Sequence, residues 1–147
     1  MRTHLAIGLA VGLFLLPNVD SKWIFLPVVL AASLLPDIDS GFSRLGRKGI
    51  FRILQWFVKH RGVIHSLTFA FVISIVFAFF APVLALPFFL GYSFHLLVDG
   101  FTPEGVRPFW PFKSDVKGRF KTGGRIEDMI FVVFLLIDVL LLIGLFV

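Results

Sequence analysis

The sequence predicts an all-α integral membrane protein: about five short transmembrane helices with a cytoplasmic-side amphipathic helix, in one domain spanning residues 1–147. Three observations carry that expectation. The chain is 58% hydrophobic, with 20 phenylalanines among its 147 residues and a mean hydropathy of +0.96, whereas soluble domains average nearer half apolar. Its apolar residues fall into five runs separated by turns and polar connections. Its basic residues are segregated along the chain in step with those runs.

The first run, His4–Leu16, follows a single arginine and resembles a signal peptide. It lacks a small-x-small cleavage site, and a histidine interrupts its start, so it reads as a retained span. PNVDSK at 17–22 turns the chain into the second run, Trp23–Leu35, where Pro36 disfavours helix at the preceding residue. The third and fourth runs, His65–Phe80 and Pro82–Val98, are separated by the kink at Ala81–Pro82, and the fifth is Met129–Val147. Sixteen helical residues reach only about 24 Å against the roughly 30 Å of hydrocarbon, so several spans need local thinning or snorkelling flanks. The first two could instead form a re-entrant hairpin.

Two polar connections remain. In residues 47–59, Ile50, Ile53, Leu54 and Phe57 recur at helical spacing among Arg47, Lys48, Arg52 and Lys59, the pattern of a basic helix lying in the headgroups. Residues 99–128 hold glycines, prolines and the sequence WPF, an irregular loop with an interfacial aromatic anchor. If all five runs cross, thirteen of the fourteen lysines and arginines lie on one side and only Lys22 on the other. By the positive-inside rule that side is cytoplasmic. The net charge of +5 thus has a membrane explanation, and a nucleic-acid partner is not expected.

The same topology gathers the candidate ligands. His4, Asp37, Asp39, His60, His65, His95, Asp99 and Glu127 all fall at cytoplasmic helix ends, and they include every histidine in the chain. Cysteine is absent, so a metal would be held by imidazole and carboxylate, the donors that suit zinc, manganese or iron. His95 and Asp99 share a helical face one turn apart: they could ligate together, or the aspartate could orient the histidine. The bland readings are a hydrogen-bonded His–Asp pair, capping aspartates at 37 and 39, and a Glu127 that merely favours a helix N-terminus. Arg61 and Arg125 suit an anionic substrate as well as they suit topology. Asp138 lies about 16 Å deeper in the fifth run and stays outside the set.

At these residues the chain resembles the YdjM-like family of membrane-bound, metal-dependent hydrolases. The matching pieces are THLAIG at 3–8, SLLPDIDS at 33–40, HRGVIHS at 60–66, GYSFHLLVDGFTPEGV at 91–106, WPF at 110–112 and TGGRIED at 122–128. That family is distantly similar to the zinc-dependent phospholipase C and P1 nuclease group, whose metals sit among His, Asp and His-x-x-x-Asp pairs. Here only one His-x-x-x-Asp occurs, so the resemblance implies a divalent metal, zinc, as one or two ions. It also implies hydrolysis, of a phospholipid or other phosphoester, at the cytoplasmic headgroup layer. In that scheme the metal activates water, Asp37 or Glu127 is the general base, and Arg61 stabilises charge on the substrate. The alternative is a non-catalytic membrane protein whose metal cross-links its helices.

Overall fold

The computed structural model describes residues 1–39 and 62–146. The expected amphipathic helix at 47–59, together with His60 and Arg61, lies outside the described residues, as does the side chain of Asp39. Each of the five apolar runs forms a helix: α1 Arg2–Leu15, α2 Lys22–Ala32, α3 Leu67–Phe80, α4 Pro82–Gly100 and α5 Arg125–Gly144. Among the described residues there is no strand; the loop between α4 and α5 is closed by one antiparallel bridge, Val106 to Val116, flanked by the Arg107–Asp115 ion pair at 2.6 Å. Phe109, Trp110 and Phe112 stand exposed on that loop.

Crossing a membrane is a separate question from being helical. Among the described residues only α4 is both long and apolar enough to span by itself. α1 and α3 have 14 residues and α2 has 11, or about 21 and 17 Å of helix, short of the roughly 30 Å hydrocarbon thickness. α5 has 20 residues but carries Glu127 and Asp128 in its first turn and Asp138 in its body.

Two helix starts differ from the sequence reading, for local reasons. α3 begins at Leu67 because Ser66 is its N-cap: the extended Ser66 accepts the Phe69 N–H at 3.1 Å, which leaves His65 just outside the helix. α5 begins at Arg125, so Glu127 is not ahead of the helix but in its first turn, where an acid is favoured. Ser66→Ala should cost about 1 kcal/mol by exposing that N–H. The check is thermal unfolding in detergent, where Ser66→Thr should hold the wild-type midpoint.

The helices are arranged around α4, which packs on α1, α2 and α3; α5 packs on α1. The α2–α4 contact is close because small residues line it. A Cβ added at Gly91 would meet the Val29 carbonyl oxygen at 2.2 Å and the Ala32 Cβ at 2.9 Å. Ala70, Phe88, Tyr92 and Leu96 fill the core beside it. The Tyr92 hydroxyl donates to the Ile64 carbonyl at 2.5 Å, which ties the segment before α3, and hence His65, to α4.

Candidate metal centre

Asp99 lies in the last turn of α4, buried, with three imidazoles around it. His4, from the first turn of α1, places Nε2 2.9 Å from Oδ1. His65, one residue before the Ser66 cap, donates Nε2–H to Oδ2 at 2.9 Å. His95, one helical turn before Asp99, places Nε2 3.5 Å from Oδ2. The rings of His4 and His95 are 4.1 Å apart between centroids, and those of His65 and His95 5.5 Å. Three separate stretches of chain are therefore brought onto one carboxylate.

The His95 ring is oriented by its other nitrogen. Nδ1–H donates to the Ser33 carbonyl at 2.7 Å, where α2 ends. A neutral imidazole protonated at Nδ1 carries a lone pair at Nε2. That lone pair faces a carboxylate oxygen, acceptor against acceptor, in a buried place, and Nε2 has no hydrogen-bond partner among the described residues. A metal cation between the two would resolve the conflict, as would a proton on Nε2 that makes the pair ionic. The donor atoms fit a metal cation: His4, His95 and Asp99 each offer a ligand atom within 4.8 Å of the others. A backbone carbonyl on the far nitrogen is also how metal-binding histidines are commonly held.

The other expected residues are placed around this centre. Glu127 accepts from the Thr3 hydroxyl at 2.9 Å and from the Gly123 N–H at 2.5 Å, so α5 is tied to α1 one residue from His4. Glu127 lies ahead of the apolar run that starts at Met129. Burial pushes its carboxyl up, but the hydrogen bonds from Gly123 and Thr3 outweigh this and hold it below the ordinary carboxylate value. Asp37 is half-buried in a 3₁₀ turn, Leu35–Asp39, and acts electrostatically on His95. Arg2 pairs with Asp128, which joins the same two helices as Thr3 and Glu127. Asp138 is buried in α5, and neither carboxylate oxygen has a hydrogen-bond partner among the described residues.

Sequence reasoning missed Thr3, Ser33 and Tyr92. Thr3 adjoins a candidate ligand, and a buried hydroxyl there was legible in principle. The role of Ser33 lies in its backbone carbonyl, which no residue type signals.

An apolar helical bundle with imidazoles and a carboxylate gathered at one end defines a helical protein with a candidate metal centre, and the family to which it belongs is one of membrane proteins. The chain belongs to the YdjM inner membrane protein family, which matches residues 1–145. It is 37% identical over 103 residues to the inner membrane protein YdjM of Escherichia coli (strain K12), covering 60% of this chain and 50% of that protein. The Shigella flexneri inner membrane protein YdjM matches equally. The chain thus spans about half the length of these curated relatives. It is 31% identical over 121 residues to the uncharacterized protein YvsG of Bacillus subtilis (strain 168), covering 72% of this chain and 73% of that one. No solved structure matches it.

Proposed function

We propose that this protein is a membrane-bound, metal-dependent hydrolase that works at the cytoplasmic headgroup layer on a phosphoester. His4, His95 and Asp99 hold the metal, and His65 steadies Asp99. The observation that carries this reading is the buried lone pair of His95 Nε2 turned toward Asp99 Oδ2 by the Ser33 carbonyl. Nitrogen and oxygen donors are compatible with zinc, the ion the family resemblance favours, as one or two ions. Such an ion supplies Lewis-acid activation to a hydrolysis.

The chain's own residues divide the remaining work. Asp37, which acts electrostatically on His95, is a candidate for accepting a proton, and the hydrogen bonds that hold the Glu127 carboxyl below its ordinary value make Glu127 a weaker base than a free carboxylate. Glu127 instead braces His4 through Thr3. Orientation follows from charge. Arg2, Arg107, Lys113, Lys117, Lys121 and Arg125 belong to the helix ends and loop around the centre and Lys22 to the turn between α1 and α2, an asymmetry that supports a cytoplasm-facing centre. Shortness of α1, α2 and α3 is then met by bilayer thinning around the bundle.

A structural metal that cross-links α1 and α4 is the second reading, favoured by the burial of all three donors. Elemental mass spectrometry on detergent-purified protein should find zinc at one or two ions per chain. Hydrolysis of a panel of phospholipids and soluble phosphoesters should then be lost on chelation and restored by zinc. Stoichiometric zinc with no turnover across that panel would leave the structural reading standing. Folded protein that neither retains nor takes up metal would overturn both.

A further inference from the structure

α4 and α5 both pack against α1 but scarcely touch each other, and the space between them is a groove of about 360 Å³. Ile7 and Val11 of α1 form its floor; Phe94 and Leu97 of α4 and Ile130 and Phe134 of α5 form its walls. Thr3, His4, Lys121, Thr122 and Glu127 edge one end of it, while the surface it presents is almost wholly apolar. The two ends are ordered by depth. Val11 is seven residues beyond His4, and Phe134 seven beyond Glu127, so the apolar part runs about 10 Å away from the metal centre along both helices. Beside the groove, Leu97, Phe101 and Val133 are exposed, which marks its open side as the surface that meets lipid.

We infer that this groove binds one acyl chain of an anionic glycerophospholipid, which enters laterally between α4 and α5 and brings its phosphate to the His4 end. The occupant follows from the chemistry of the two ends. The walls are hydrocarbon-lined over the length of two helical turns, in a size range typical of small-ligand sites. At the mouth the Glu127 carboxylate, hydrogen-bonded by Thr3 and Gly123, stays ionised, and it is outnumbered by the exposed Lys121 and Arg119, with Lys117, paired with Asp115, on the same loop. A cationic mouth above an apolar slot selects an amphiphile with a negative head. The inference rests on the proposed hydrolase for its consequence, that the bound lipid is the substrate; the binding itself requires no turnover.

The test is photolabelling in nanodiscs with phosphatidylglycerol that carries a diazirine near the end of one acyl chain, followed by peptide mapping. Label should concentrate on the peptides that hold Val11, Leu97, Ile130 and Phe134, about tenfold above the exposed α3 residues Phe79 and Phe80. Val11→Trp or Ile130→Trp, which fill the slot, should lower it about tenfold, while Leu140→Trp on the exposed face of α5 should not. In wild-type protein, unlabelled phosphatidylglycerol should compete better than phosphatidylcholine, and Lys121→Ala should erase that difference. Labelling spread evenly over all exposed helices, or unchanged in a folded slot-filling variant, would overturn the inference. Concentrated labelling in a protein that shows no hydrolysis would sink the hydrolase reading and leave the lipid site; turnover and metal intact with even labelling would do the reverse.

Discussion

Asp99→Ala should weaken zinc binding by at least about 100-fold, the upper range for groups that hold or orient a metal's ligands. The substitution removes one candidate metal ligand and also the carboxylate that meets Nε2 of His4 and of His65. Each buried donor left without a partner costs about 1–3 kcal/mol, so the unfolding midpoint should fall as well. Asp99→Asn separates the two effects. The amide keeps an acceptor oxygen but loses the charge, so stability should recover in part while metal affinity stays low. Chelator competition for affinity, beside thermal unfolding, reads both quantities. An asparagine variant that bound zinc like wild type would mean that the imidazoles surround a hydrogen-bonded polar network rather than a metal centre.

Gly91→Val should be strongly damaging although no ligand is touched. Even the first side-chain carbon would overlap the Val29 carbonyl oxygen, at 2.2 Å, and press on the Ser33 amide nitrogen at 3.0 Å. Neither is the flexible end of a side chain, so α2 must move. Overpacking of this kind costs about 1–3 kcal/mol, and a backbone clash belongs at the upper end or beyond. The same shift displaces the Ser33 carbonyl that orients His95, so zinc affinity should fall together with stability although no ligand has changed. Gly144→Ala is the control: nothing lies within 4 Å of a Cβ there, and the unfolding midpoint should hold or rise slightly because alanine favours helix. A Gly91→Val protein with a wild-type midpoint would show that α2 and α4 are not in close contact.

The five helices were legible because hydropathy is a local property. Each apolar run, from His4–Leu16 to Met129–Val147, carries its own signal, and each forms a helix. Helix ends were less legible where a cap decides them: Ser66 sets the start of α3 through one side-chain bond to Phe69. Whether five runs make five crossings was not legible either. Among the described residues, length and composition support one, α4.

The sequence by itself determined the class of this protein and the donor types open to its candidate centre. Composition makes it apolar and helical, the lack of cysteine restricts any metal to nitrogen and oxygen, and the four-residue spacing of His95 and Asp99 puts two donors on one face. The tertiary structure decided which residues meet. His4 reaches Asp99 across 95 positions and His65 across 34, while Thr3 reaches Glu127 across 124. Contacts at such separations depend on how helices pack against one another, and packing is set by shape at places such as Gly91 that carry no chemistry of their own. The partner that turns His95 is a backbone carbonyl, identical at every residue, so only the fold could single out the one at Ser33.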